Sequence, residues 1–434
     1  MDVEQLVQAD RVHRRVYNDT EIFELEIEKI FSVAWIYIGH VSQVQNPGDF
    51  YCTDIALQPV VMTRHSDGEI KVLFNRCGHR GAQVIRPENG SSETYRCCYH
   101  GWEYDTDGTL IAVPRPRGYE KSAVQPGDPA YGMTHVPRMA EYRGFVFASL
   151  SPTGPTLEEF LGPIATSIDD LVDRAPDGEI EVAGGVARHL YQGNWKLVFE
   201  NLCDGLHPNC VHQSSIEAAN QQDDTTYSDG AGEIGVRQMR QNGAPWEFWE
   251  DQVGLWAYRF GHSYLGDYHD DAKLVAARND SSFDDYYAAM EAAKGNARTQ
   301  EILGVMRWNT NIYPTISFMS QFRQLRVIRP VSVDQTEVLG FCFRLKGAPE
   351  KMFHDTIRFA NITNAVASPV LTDDLETYDR IRRGLMTDGN DWIATSRGLG
   401  GDAPDEDGGW CAENGLSELH IRNMFDAWSH YMTD

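Results

Sequence analysis

Residues 194–212 read N-W-K-L-V-F-E-N-L-C-D-G-L-H-P-N-C-V-H, and the rest of the chain answers to this stretch. Its background is apolar and aromatic, yet it carries Asn201, Asp204, His207 and His212. Polar groups in apolar surroundings are costly unless each finds a partner. One bound metal ion would satisfy several at once. Asn201, Asp204 and His207 recur at intervals of three and share one face of a helix. His212 lies five residues beyond His207, about 140° further round an ideal helix. Both imidazoles cannot reach one ion from an undistorted helix. Pro208 removes a helical hydrogen bond directly after His207, so a kink or loop is expected between the two histidines. The competing reading is a core helix with two satisfied histidines, and an isolated pair would favour it.

A second metal-like constellation lies upstream. C-G-H-R-G begins at Cys77 and C-C-Y-H-G-W at Cys97, each in a loop between strand-like runs. Structural zinc uses C-x(2–4)-C and H-x(3–5)-H pairs, and a C-x-H pair is too short for that pattern. A [2Fe–2S] centre in which two His replace two Cys on one iron fits better. The order C-x-H, seventeen residues, C-x-x-H, with H-R-G and H-G-W following, resembles the Rieske signature. Its ligands are then Cys77, His79, Cys97 and His100. Choosing Cys98 instead would leave C-x-H in the second half, which does not match. Cys52, Cys203, Cys210, Cys342 and Cys411 read as ordinary, mostly buried residues.

Periodicity supplies the surrounding elements. Residues 20–34 read as a helix capped by Thr20, with Ile22, Phe23, Ile27, Ile30 and Phe31 at helical spacing. From Trp35 the pattern turns to short β runs, W-I-Y-I-G-H, P-V-V-M-T-R and K-V-L-F-N, punctuated by Pro47-Gly48 and Asp67-Gly68. Thr156 with Glu159 forms a capping box ahead of a helix through Phe160, Leu161, Ile164, Ile168 and Leu171. Residues 221–232 read as a surface loop, 280–300 as a helical insertion, 312–327 and 336–343 as strands, and 400–409 as an acidic loop. A closing helix from Ser417 carries Ile421, Met424, Phe425, Trp428 and Met432. Ser368-Pro369 is a helix start, with Ser as N-cap and Pro at the first helical position.

The chain has 434 residues, room for a substantial core and more than one domain. A formal net charge of −26 argues against nucleic acid or an anionic membrane as a partner. No run approaches the length of a membrane span, and Met1 to Ala9 is acidic rather than a basic-then-apolar leader. Eight cysteines without small-domain spacing indicate reduced thiols and a cytoplasmic setting. No G-x-G-x-x-G fingerprint of a nicotinamide or flavin site occurs.

Taken together, the chain resembles the large (α) subunit of Rieske non-haem iron ring-hydroxylating oxygenases. The resemblance runs from the Rieske motif through N-W-K…E-N-x-x-D-x-x-H-x-x-x-x-H to a C-terminal carboxylate. It implies an α+β fold. A helix over 1–35 packs on the catalytic domain, an all-β Rieske domain spans 36–150, and a helix-grip catalytic domain, an antiparallel sheet wrapped on helices, spans 151–434. It also implies one [2Fe–2S] cluster and one Fe(II) per chain, the iron held by His207, His212 and a distant carboxylate with open positions for O₂ and substrate. The family pattern puts that carboxylate at the second Asp of a D-D pair, here Asp374, leaving Asp373 about 100° round the helix toward solvent or a capping partner. The matching Asp204 would bridge His207 to His100 of a neighbouring subunit, which implies a trimer, α3 or α3β3 with a small β subunit. Asn201 would contact iron-bound water or substrate.

On this resemblance the chain is the terminal component of an O₂- and NAD(P)H-dependent system served by a reductase, with or without a ferredoxin. Its P-V-L-T-D-D-L-E run and short E-N-x-x-D-x-x-H form point to benzoate-, salicylate- or aniline-like rings. The product would be a cis-dihydrodiol or a phenol. Arg323 or Arg326 is the candidate for meeting a substrate carboxylate, against the commoner role of a solvated or ion-paired arginine. A dealkylating Rieske monooxygenase is the enzymatic alternative. A non-catalytic electron-transfer protein leaves the second constellation unexplained.

Overall fold

The computed structural model describes residues 3–222, 231–267 and 284–433. It divides into two units, Met1–Glu26 with Glu158–Asp434, and Ile27–Leu157.

The Ile27–Leu157 unit is built of antiparallel β-structure. The W-I-Y-I-G-H run becomes the strand Ile36–His40, paired with Phe145–Ser149, which pairs in turn with Arg138–Tyr142. The other two apolar runs become Gln58–Arg64 and Ile70–Phe74, joined by Asp49–Ile55 and Asn89–Ser91 in a four-stranded sheet. A third sheet pairs Thr94–Arg96, Glu103–Asp105 and Leu110–Ala112. Phe50, Val61, Leu73, Tyr95, Trp102 and Tyr104 interlock beneath these strands. Burying a large apolar side chain contributes roughly 1.5–3 kcal/mol, so this group is the main source of cohesion in a unit of short strands.

In the other unit a nine-stranded antiparallel sheet runs in the order Ile180–Gln192, Gln335–Leu345, Gln324–Ser332, Ile316–Met319, Met306–Ile312, His262–Asp267, Val253–Tyr258, Trp410–Ala412, Ala403–Pro404. The helix Glu350–Thr363 packs on Gln335–Leu345 and the helix Leu371–Leu385 on Ile180–Gln192. The closing helix Leu419–Thr433 covers Val253–Tyr258 with Met424, Phe425, Trp428 and Met432 buried. Glu26 anchors three segments of this unit. Its buried carboxylate accepts from Trp195 Nε1 at 2.8 Å and Trp428 Nε1 at 2.6 Å, and pairs with the fully buried Lys196. A charge so enclosed is tolerable only when paired and hydrogen-bonded, and here it is both.

Several sequence expectations are corrected. The helix from Thr20 is α-helical only to Glu26 and continues as a wider π-type turn over Ile27–Phe31. Its cap is Asp19, whose Oδ1 accepts from the Glu21 and Ile22 N–H groups, rather than Thr20. The run 312–327 is not one strand. It covers the end of Met306–Ile312, all of Ile316–Met319 and the start of Gln324–Ser332, because Arg323 turns the chain in the left-handed region at φ 53°. Part of the loop 221–232 and of the insertion 280–300 lies outside the described residues. Within them Ala231–Asn242 is helical, and the insertion forms two helices, Asp284–Lys294 and Asn296–Gly304, burying Tyr286 and Met290. Among the described residues no helix is long and apolar enough to cross a membrane.

Candidate functional site

The Cys77 loop follows the strand Ile70–Phe74, and the Cys97 loop joins Thr94–Arg96 to Glu103–Asp105. The two close by the same bonds. Gly81 N–H donates to Cys77 O and Gly101 N–H to Cys97 O, each at 3.0 Å. The Cys77 and Cys97 N–H groups donate to Ala82 O and Trp102 O, each at 2.8 Å. Gly81 at φ 72° and Gly101 at φ 68° make both turns, in a region where a side chain is strained. Cys77 and Cys97 are each 2% exposed, whereas Cys98 points to solvent. The exposed Cys210 departs from the expectation of a buried thiol.

The His79 and His100 rings lie 4.5 Å apart, and Trp102 stacks on His79 at 4.9 Å. Burial, aided by His100, holds His79 below its usual pKa and so favours the neutral ring. His79 Nδ1 is buried and meets no hydrogen-bond partner among the described residues. Burial pushes the Cys77 thiol up, with Tyr104 opposing and Cys97 alongside. The unpartnered buried imidazole nitrogen is costly by itself, and with two enclosed thiols and a second imidazole beside it the group has the donor chemistry of a [2Fe–2S] centre with two Cys and two His. Tyr104 Oη sits 3.0 Å from Cys77 Sγ and accepts from Gly78 N–H at 3.0 Å; toward a deprotonated, iron-bound sulfur the phenol O–H would be the donor.

In the other unit, the helix Lys196–Leu202 ends in a turn holding Asp204, and the short helix His207–Val211 follows. Pro208 sits in the first turn of that helix, where a missing N–H leaves no bond broken. The expected break between the histidines is thus corrected. Helix runs from His207 to Val211, and the interruptions fall at residues 203–206 and at His212, which opens the next helix, Gln213–Asn220. Those two turns bring the rings round. His207 Nε2 and His212 Nε2 lie 3.8 Å and 3.5 Å from Asp374 Oδ1, and the three residues offer donor atoms within 4.8 Å of one another.

The groups around them fix this convergence. Ser368 Oγ accepts from Leu371 N–H at 3.0 Å just ahead of the helix Leu371–Leu385, which carries Asp374 in its first turn; the N-cap position is Val370, and Pro369 lies in the preceding turn rather than at the first helical position. Asn201 Nδ2 donates to Asp374 Oδ1 at 3.1 Å, so this amide is turned to the carboxylate. Asp373 does not face solvent alone: its Oδ2 lies 3.4 Å from His212 Nδ1, where it can set the tautomer. Asp204 Oδ2 lies 3.7 Å from His207 Nδ1, and its Oδ1 accepts from Arg397 at 2.8 Å and from Leu206 N–H at 3.0 Å. Burial pushes the Asp204 carboxyl up, but His207 and Arg397 outweigh it and hold it well below the usual range. Burial lowers His212 against the pull of Asp374, whereas at His207 the two carboxylates overcome burial and raise it. Two imidazole nitrogens and one carboxylate oxygen, mutually close but outside hydrogen-bond reach, suit a divalent iron with open positions.

The Rieske [2Fe-2S] domain model matches residues 34–126, and the model of the ring-hydroxylating α subunit's catalytic domain matches residues 170–433. The chain belongs to the Rieske ring-hydroxylating oxygenase α-subunit family. It is 33% identical over 397 residues to the toluate 1,2-dioxygenase α subunit of Pseudomonas putida, covering 89% of this chain and 83% of that one. It is 32% identical to the anthranilate 1,2-dioxygenase large subunit of Acinetobacter baylyi, covering 89% and 80%. A naphthalene 1,2-dioxygenase structure with bound indole superposes with a TM-score of 0.83 at 20% identity, over 100% of this chain and 94% of that chain. The α subunit is accordingly a terminal oxygenase with a [2Fe–2S] cluster and a non-haem iron, fed from NAD(P)H through a separate reductase.

A cavity in the α subunit opens beside the triad. The sheet supplies its floor, since alternate residues of a strand share one face. His189 and Ala187, Val338 and Gly340, and Gln324 and Arg326 line it from three neighbouring strands. In register, Arg326 stands opposite Gly340, and Gly340 opposite Ala187, a row of one long side chain and two small ones that leaves the floor open. Val198, Leu202, Ile357 and Leu371 close it from the helices and adjoining turns. The triad pocket shares Asn201, Leu202, Arg326, Asn364 and Asp374 with this cavity. Arg323 is not among the lining residues of either. Its guanidinium donates to Thr356 Oγ1 at 2.6 Å, Gln321 O at 2.8 Å and Met352 O at 3.4 Å, which makes it a tie between the 320–323 turn and the helix Glu350–Thr363. Sequence reading missed Arg397, Tyr104 and the contact of Asp373, each a long-range partner without a local motif.

Proposed function

We propose that this α subunit hydroxylates a monocyclic aromatic acid, with His207, His212 and Asp374 holding its iron and Cys77, His79, Cys97 and His100 holding its cluster. The carrying observation is the convergence of two imidazoles and a carboxylate beside an apolar-walled cavity. The choice of acid is supported by the relatives that act on toluate, 2-halobenzoate and anthranilate. When bound, the two metal groups supply single-electron storage and the reductive activation of O₂.

The chain's own residues do the rest. Asp373 holds the Nδ1 edge of His212 at 3.4 Å, and the Asp204 carboxylate faces that of His207 at 3.7 Å, leaving both Nε2 atoms toward Asp374. Asn201 pins the Asp374 oxygen. Val198, Leu202, Ile357 and Leu371 exclude water and present a slot for a planar ring. Overall, arene, O₂, NAD(P)H and a proton give a cis-dihydrodiol and NAD(P)⁺.

The proposed assembly is a cyclic trimer, α3 or α3β3, working in the cytoplasm with a reductase and, in some systems, a ferredoxin. In it Asp204, kept ionised by Arg397, faces His100 of a neighbouring copy. Asp204→Asn should then keep both metal centres but lose turnover. The direct test is a panel of benzoates, salicylates, anthranilates and anilines with a surrogate reductase, following O₂ uptake against product. Coupled uptake with an aromatic acid supports the reading; a fully metallated protein that oxidises none of the panel contradicts it.

A further inference from the structure

Arg326 is 6% exposed and stands at the junction of the cavity and the triad pocket. Of the cavity's lining residues it is the one permanent cation, and Asp374 the one carboxylate. Its Nη2 donates to Asn309 Oδ1 at 3.1 Å, while Nε and Nη1 are buried and meet no acceptor among the described residues. An arginine carries five N–H donors, so most of this guanidinium is without an acceptor where water is scarce. Buried donors left unmade are costly, and native structures hold few of them without a use. Elsewhere in the same sheet Arg188 and Arg329 pair with Glu337 and Arg344 with Glu181 and Glu350, while Arg307 donates to the Thr166 and Ser167 hydroxyls. For Arg326 the one partner among the described residues is the neutral Asn309 amide oxygen. In register Arg326 stands between Gly340, with Ala187 beyond it, and Ser317, whose buried Oγ meets no partner among the described residues.

We infer that Arg326 is the carboxylate anchor of the cavity, binding the acid group of the substrate through its planar fork and so seating the ring beside the triad. This rests on the aromatic-acid reading above and names the residue that enforces it. The free Nη2 N–H together with either Nε–H or Nη1–H forms a fork that matches the two oxygens of a carboxylate. An uncharged ring would leave the guanidinium unsatisfied, so the same group that admits acids discriminates against neutral rings. Arg323, whose donors are satisfied by Thr356, Gln321 and Met352, does not take this part.

The test measures binding, not turnover. Benzoate and its uncharged isostere benzamide are titrated calorimetrically, without O₂, into the full-length metallated protein, wild type, Arg326→Gln and Arg326→Lys. The wild type should prefer benzoate. Arg326→Gln should lose on the order of 100-fold in benzoate affinity, as expected for removing one partner of a buried charge pair, and hold benzamide within about 3-fold. Arg326→Lys, which keeps the charge but not the fork, should recover only part of the loss. A folded Arg326→Gln protein that binds benzoate like the wild type overturns the anchor. Where that variant does not fold, the wild type decides: preference for benzoate supports the anchor, and equal affinity for benzoate and benzamide overturns it. Neutral rings bound and oxidised with no such preference would remove the anchor and leave the oxygenase reading standing. A metallated protein that binds neither ligand overturns the anchor together with the aromatic-acid reading.

Discussion

Asp374 and Asp373 are adjacent carboxylates with different work, and the helix that carries them decides which does what. One turns its oxygen to both Nε2 atoms, while the other reaches His212 Nδ1 at 3.4 Å. Asp373→Asn should weaken iron binding about 10- to 100-fold, the usual cost of losing a carboxylate behind a metal-binding histidine. Competition with a ferrous chelator measures this, and unchanged iron retention would show that the contact is idle. At the cluster loops, Tyr104→Phe removes a donor to Cys77 Sγ. A hydrogen bond of about 1 kcal/mol that favours the more negative, reduced cluster corresponds to about 40 mV for one electron, so the potential should fall by that order. Voltammetry reads it, and a potential that stays put or rises would contradict the assigned donor direction. His207, His212 and the four cluster ligands stood out because their spacing is itself the signal. Arg397 and the role of Asp373 did not, since their partners lie 193 and 161 residues away and leave no local trace.

At the level of elements, the site depends on where three segments are tied together. Glu26 gathers Trp195, Lys196 and Trp428, fixing the start of the helix that delivers Asn201. Glu26→Ala leaves Lys196 buried and unpaired, and should cost about 3–5 kcal/mol in denaturant unfolding; a loss below about 1 kcal/mol would show that the network carries no weight. Gly340→Leu would place a branched side chain on the cavity floor between Arg326 and Ala187. It should raise KM for an aromatic acid at least about 10-fold with iron content unchanged, whereas an unaltered KM would remove the floor from the substrate path. The first β runs were legible because short alternating stretches with Gly and Pro turns have few other outcomes. The split of 312–327 was not, because it turns on Arg323 adopting φ 53°, which nothing in an arginine announces. The break expected beside Pro208 falls instead on either side of the short helix, at residues 203–206 and at His212, since proline serves as well at the start of a helix as in breaking one.

For the whole molecule, composition excluded more than it identified. A net charge of −26 removed nucleic acid from consideration but said nothing of the nine-stranded order, which joins residues 180–192 to 335–345 across more than a hundred intervening positions. Long-range pairing of that kind leaves only a run of β-formers at each end to read. If the copies assemble as proposed, sedimentation should show a particle built on three chains of 49.0 kDa each, larger by three small subunits when these are present; a monomer at working concentration would contradict the bridge through Asp204. Whether one chain holds two separate metal centres is read from iron and acid-labile sulfide per chain in the wild type and in Asp374→Ala. The wild type should hold about three irons and two sulfides, falling to about two irons with sulfide and cluster absorption intact in the variant. An Asp374→Ala protein that keeps its third iron would contradict the second centre.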